Sequence, residues 1–186
     1  MRMLYDLAKQ RKTVRKFKEE KPSIEKLMYC LKVANEAPSG MNAQPWRFLV
    51  VKDEETKRQI RETCEKAEKD FYENVRGKLK EWLNENSFNW KKPFLEEAPY
   101  LLLVFSKKDA PYSRESVWLA IGYLLLALEE QGLGTVPYTP PNPNELTKIV
   151  NTPSDLRFEV ILPVGYPDDP KPKYPREEMK VSFNHF

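Results

Sequence analysis

The stretch "APSGMNAQPWRFLVV", residues 37–51, joins two patterned segments through a polar hinge. Proline, serine, glycine, asparagine and glutamine gather directly before a run rich in aromatic and β-branched side chains. Breakers and small polar residues between regular elements mark a connecting loop. The same residues also shape a loop that holds a flat polar ligand. After the hinge, "WRFLVV" (Trp46–Val51) has the composition of a strand. Before it, Ser23 follows Pro22 and opens a helix with Ile24, Leu27, Met28, Leu31 and Ala34 on one stripe, ending by Pro38.

Working outward, the residues from Tyr5 to about Arg11 suit a short helix. Asp53 caps a highly charged helix whose sparse apolar stripe is Ile60, Cys64, Ala67 and Phe71. Residues 76–92 are polar and partly helical, with Trp82, Phe88 and Trp90 set singly among them. "YLLLVFS" (Tyr100–Ser106) reads as a strand buried on both faces. "SRESVWLAIGYLLLALEEQGLG" (113–134) reads as a helix that is apolar almost all round from Val117 to Leu128, broken by Gly122. Such a helix has to be covered on every side, and a partner subunit supplies the cover. Gly132 or Gly134 provides its stop. Asn142, Pro143 and Glu145 open a further short helix. "RFEVILPVG" (157–165) is the last strand. The proline-rich remainder, residues 166–186, is extended and suited to wrapping a neighbour. No repeat or linker interrupts the chain, so residues 1–186 read as one domain, α/β or α+β, with strand order left open.

Composition narrows the function. Hydrophobic residues at 40% and aromatics at 12% support a packed core. A net charge of +3, with acidic and basic residues interspersed, is too mild for nucleic acid binding. The start "MRMLYDLAKQRKTVRKF" lacks the apolar segment of a secretory signal, and no apolar run is long enough to cross a bilayer. Cys30 and Cys64 form no metal or disulfide pattern and suit small core residues, so a reducing cytoplasm is expected. His185 is the single histidine. It excludes a multi-histidine metal site, and its terminal position argues against a histidine-dependent hydrolase.

Three polar clusters remain. In "RKTVRKF" (11–17), Arg11, Thr13 and Arg15 share a face if the segment is extended. Guanidinium forks and a hydroxyl make a phosphate cradle, unless the segment is simply a solvated basic arm. In the hinge, Asn42 and Gln44 offer donors and acceptors that match the mixed edge of a uracil-like ring, while Pro38 and Gly40 allow close backbone approach. A plain helix-to-strand turn would look the same. "GLGTVPYTPPN" (132–142) is a helix stop and rigid loop, or a ledge beneath a ligand. Its "GLG" lacks the spacing of a dinucleotide fingerprint.

Taken in order, "RKTVRKF", "APSGMNAQPWRFLVV", "GLGTVPYTPPN" and "ILPVGYP" resemble the nitroreductase family of flavin enzymes, from residue 11 to about 179. The resemblance implies an α+β, three-layer α-β-α fold with a mostly antiparallel central sheet. It also implies an intertwined homodimer with FMN at the subunit interface and a tail, about residues 166–186, wrapped on the partner. By analogy, Arg11, Lys12, Thr13 and Arg15 hold the phosphate, completed by Lys173 or Arg176. Pro38, Ser39, Gly40, Asn42 and Gln44 reach the ring and ribityl chain from the other subunit. Pro137, Tyr138 and Thr139 lie under the ring, with the Thr139 N–H toward the flavin N5.

The implied activity passes hydride from NAD(P)H through FMN to a small-molecule acceptor such as a nitroaromatic, a quinone or another flavin; a flavin storage or sensor protein is the alternative. The cofactor carries that chemistry, so no side chain is named as catalytic acid or base. Departures bear on the acceptor. Ile121, Gly122 and Tyr123 replace a more polar helix segment, Pro140 removes one N–H donor, and Met41 stands where a small residue faces the substrate. The residue at the pyrimidine end of the ring is Asn89, Lys91 or Lys92.

Overall fold

A computed structural model describes residues 3–185; Met1, Arg2 and Phe186, the last residue of the expected tail, lie outside the described residues. In chain order the helices are α1 (Leu4–Gln10), α2 (Ile24–Asn35), α3 (Glu54–Asn74), α4 (Gly77–Glu85), α5 (Phe94–Glu97), α6 (Ser113–Glu130) and α7 (Asn144–Ile149). The strands are β1 (Trp46–Val51), β2 (Tyr100–Lys107), β3 (Gly134–Thr135) and β4 (Leu156–Gly165). They form one sheet in the order β1-β2-β4-β3, with every pairing between them antiparallel.

The continuous apolar run of β2 explains the layering. Alternate side chains of a strand point to opposite faces, so a strand apolar at every position needs cover on both. Leu102 and Val104 pack with residues of α2 and α6, whereas Leu101, Leu103 and Phe105 pack with residues of α3, α5 and α7. The result is the expected α+β fold with helices on both faces of an antiparallel sheet.

One irregularity lies in β4. Val104 is opposite Val160 but Phe105 is opposite Phe158, so Glu159 is the extra residue of a bulge. A bulge reverses the alternation beyond it. Phe158 therefore joins Ile161 in one cluster while Val160 faces the other. The Glu159 side chain is buried and accepts from Ser106 Oγ at 2.6 Å, Arg157 Nε at 3.0 Å and Arg114 Nε at 3.2 Å.

One sequence expectation needs correction. The buried stripe of α2 is Leu27, Cys30 and Ala34; Ile24 and Met28 are 42% and 46% exposed. The face with Leu27, Cys30 and Ala34 joins the α6 side of the core, and Ile24 and Met28 are left outward. The tail beyond β4 contains no helix among the described residues. Its first residues run beside the N-terminal segment of their own chain, with Lys18 N–H donating to Tyr166 O and Asp168 N–H to Lys16 O. Two local expectations are met. Asp53 Oδ2 caps α3 through Thr56 N–H at 2.8 Å. Gly132, at φ 71°, ends α6 as Gly132 N–H reaches Glu129 O and Leu133 N–H reaches Leu128 O, the paired bonds of a Schellman motif. No helix among the described residues is long and apolar enough to cross a membrane, and no group of metal-ligating side chains occurs among them.

Candidate active site

A cavity of about 890 Å³ opens between the C-terminal half of α3, α4, residues 87–93, the 136–139 loop and the start of the tail. Its size falls in the range of small-molecule sites, about 300–1,000 Å³. Tyr72, Trp82, Phe88 and Phe94 give it aromatic walls. Trp82 stacks on Phe88 at 5.4 Å between centroids, and the Arg15 guanidinium sits over the other ring at 5.1 Å.

Charges of both signs project into this aromatic space. Lys92 Nζ lies 3.1 Å from Glu68 Oε2, and both side chains are almost fully buried. Glu68 Oε1 accepts from the Tyr138 hydroxyl at 2.9 Å. Tyr72, one turn after Glu68, presents its ring to the Lys92 ammonium at 5.2 Å. Burial pulls the Lys92 pKa down against the upward pull of Glu68, and burial followed by the Glu68 charge pushes Tyr72 up. A buried ion pair in an apolar pocket is weak evidence for stability, since two desolvated charges roughly cancel what they gain from each other.

The residues of the basic segment divide. Residues 11–17 are extended, with Thr13 paired to Thr135 and Val14 N–H bonded to Thr135 O. Arg15 turns into the cavity beside Asp169 and Tyr72; burial lowers its pKa, against Asp169, Tyr174 and Tyr72. Arg11 does not line this cavity; it neighbours Lys173, Arg176 and Glu129, and its pKa is lowered by burial first and Arg176 second, with Glu129 pulling the other way. Among the described residues its buried Nη1 has no hydrogen-bond partner. Lys12 Nζ is committed to the carbonyls of Asp169 and Lys171 at 2.5 and 2.8 Å, and Lys173 Nζ to those of Ala8 and Lys9 at 2.7 and 3.1 Å.

Pro137, Tyr138 and Thr139 form one wall of the cavity. Pro38, Ser39, Gly40, Asn42 and Gln44 do not reach it from the same subunit. They form a separate loop with left-handed backbone at Met41, Asn42 and Gln44, φ 53°, 54° and 44°. Ser39 Oγ accepts from Gln44 N–H at 3.0 Å, and Ser116 Oγ from Gly40 N–H at 3.3 Å. Such conformations persist only when the surroundings over-determine them, and they concentrate at ligand clamps. A Cβ on Gly40 would come within 2.7 Å of Tyr112 Cδ2 and 3.2 Å of Pro111 O, so the 39–44 loop lies close against residues 111 and 112.

The sequence matches the profile of the nitroreductase family over residues 8–166. The chain belongs to the nitroreductase family. Within the family it is 76% identical to iodotyrosine deiodinase of Thermotoga neapolitana over 186 residues, 100% of both chains. It is 38% identical to iodotyrosine deiodinase of Haliscomenobacter hydrossis over 177 residues, 88% of this chain and 78% of that relative. A crystal structure of oxidized iodotyrosine deiodinase bound to FMN and 3-iodo-L-tyrosine superposes with a TM-score of 0.97 at 76% identity, covering 99% of this chain and 100% of that one.

Reading the sequence of this nitroreductase-family chain missed Glu68 and Tyr72. A signal was present: the α3 stripe runs Ile60, Cys64 and then an acid at the next position four residues on. Of the three candidates for the far end of the ring, Asn89, Lys91 and Lys92 all line the cavity, and Lys92 is the one bound to Glu68.

Proposed function

We propose that the protein is an FMN-dependent reductive dehalogenase of a halogenated tyrosine, acting as a homodimer with NADH or NADPH as electron source. The observation that carries this reading is the Glu68–Lys92 ion pair inside an aromatic-walled cavity. An amino-acid zwitterion bears both charges on one carbon. It converts one buried pair into two, with its ammonium on Glu68 and its carboxylate on Lys92 and the Tyr72 hydroxyl. The aromatic walls suit its ring. Full-length identity of 76% to an iodotyrosine deiodinase supports the same substrate class. The nitroaromatic, quinone or flavin acceptor expected from the sequence thus gives way to a haloaromatic amino acid.

The residues fit FMN. The Arg11 Nη1 has no hydrogen-bond partner, and the like charge of Arg176 outweighs the pull of Glu129 on this guanidinium, so a phosphate oxygen would suit it. Arg15 and the loop Pro137, Tyr138 and Thr139 border the cavity where a ring would lie. The strained loop bearing Ser39, Gly40, Asn42 and Gln44 is held ready to meet a ring from the partner subunit. When bound, FMN supplies the two electrons that, with one proton, turn a carbon–iodine bond into carbon–hydrogen and iodide. The protein's share is to hold the zwitterion, orient the ring and exclude water.

Anaerobic, dithionite-reduced protein given 3-iodo-L-tyrosine should release one tyrosine and one iodide per FMN, and NADH or NADPH should sustain further turnovers. Reduction of a nitroaromatic without iodide release from iodotyrosine would overturn the reading.

A further inference from the structure

Glu68 is gripped at both oxygens, and the two grips differ. Lys92, on Oε2, comes from the loop before α5 and carries a long flexible stem. Tyr138, on Oε1, comes from a segment locked to the sheet: its N–H donates to Ile161 O and its O accepts from Ile161 N–H, both at 2.9 Å. Its ring is buried and meets Phe94 edge-on at 5.6 Å. Burial, then the neighbouring Cys64 and Glu68, push the phenol pKa up, while burial lifts the Cys64 thiol to about 12. Both groups therefore stay protonated at neutral pH, and the phenol can only donate to the carboxylate.

We propose that Tyr138 is a positioning residue: its hydroxyl anchors the Glu68 carboxylate so that the cavity selects an α-amino acid over the same molecule without its amino group. This rests on the reading above that an amino acid occupies the cavity. The physical reason is a competition. When a ligand carboxylate draws Lys92 away, an untethered Glu68 would swing after the lysine, to which it is bound by charge. With Oε1 held by a hydroxyl fixed to β4, it stays in place and meets the incoming ammonium. One donor on Oε1 also leaves a further acceptor position on that oxygen.

The test uses FMN-loaded protein and two probes, 3-iodo-L-tyrosine and 3-(4-hydroxy-3-iodophenyl)propanoate, which lacks only the ammonium. Dissociation constants are read by flavin fluorescence, and KM and kcat by iodide release. Tyr138→Phe keeps the ring against Phe94 and deletes one oxygen. It should raise Kd and KM for iodotyrosine about tenfold, the loss of one hydrogen bond to a charged group. Kd for the propanoate should not move, so the ratio of the two dissociation constants carries the readout. Glu68→Asp leaves Tyr138 intact, keeps the charge and withdraws the carboxylate by one methylene; it should show the same selective loss. Equal weakening of both probes would mean that Tyr138 only supports the wall, and wild-type selectivity in either variant would also overturn the proposal. Wild type that fails to distinguish the two probes would instead sink the amino-acid reading and this inference with it.

Discussion

At the scale of single residues, Arg11 carries the clearest unmet demand. A guanidinium has five donors and no way to neutralise itself, so a buried Nη1 without an acceptor costs stability, and Glu129 offsets only part of the repulsion from Arg176 and Lys173. A phosphate would relieve both faults. Arg11→Ala should therefore weaken FMN by about tenfold to a hundredfold, the loss of a charge-assisted hydrogen bond. Riboflavin, which lacks the phosphate, should bind as to wild type. The protein stripped of flavin should melt close to wild type, because the like-charge repulsion removed offsets the attraction to Glu129 that is lost. Titration of both flavins by fluorescence quenching and a melting curve of the stripped protein check the two halves. Equal losses for FMN and riboflavin would show that Arg11 serves the fold.

At the scale of elements, β4 shows what a buried charge does to a strand. Burial alone would raise the Glu159 pKa, but the Ser106 hydroxyl and the Arg157 and Arg114 guanidiniums overcome it and hold it below the usual carboxylate range. A group depressed on folding contributes stability that is complete above its unfolded value, about 4.3, and lost as pH falls through its folded value. Glu159→Gln should lose about 1–3 kcal/mol at pH 7. The loss is limited because Arg114 and Arg157 remain in contact with water. The variant should also show a shallower loss of stability in acid than wild type, in urea melts between pH 7 and 3; parallel curves would mean that Glu159 does not titrate with folding.

The same elements mark how far the sequence can be read. Trp46–Val51 and Tyr100–Ser106 were legible because strand composition is a local property, and the Asp53 cap and Gly132 stop because their chemistry is local too. The orientation of α2 was not, because both of its sides carry large apolar residues and only the position of α6 decides between them. Nor was the Glu159 bulge, which depends on register with β2. In the site, the arginines stood out as a dense cluster, whereas Glu68 and Lys92 are 24 positions apart and meet only because α4 and the loop after it bring the chain back to α3.

At the scale of the whole molecule, the outward face of α6 is the feature a single subunit leaves unexplained. Trp118, Leu119 and Tyr123 are 40%, 50% and 42% exposed and surround Gly122, whose missing Cβ would meet nothing within 4 Å. Glycine inside a helix costs about 0.8–1 kcal/mol relative to alanine, so it has a reason to be there only if something fits the notch. Ile24 and Met28 of α2 are exposed as well. A second copy of this chain, with its own α6 against the notch, would cover these residues and bring its strained 39–44 loop toward the flavin site. Gly122→Glu separates assembly from folding. In one subunit the new side chain points into open space, and helix propensity favours it, so the monomer should be no less stable. In a dimer it would bury a charge between apolar faces. Sedimentation at micromolar concentration should give two subunits for wild type and one for the variant. FMN affinity should fall with assembly, because the Asn42 loop would be lost with the partner. Wild type that sediments as a monomer while holding FMN would refute the shared site.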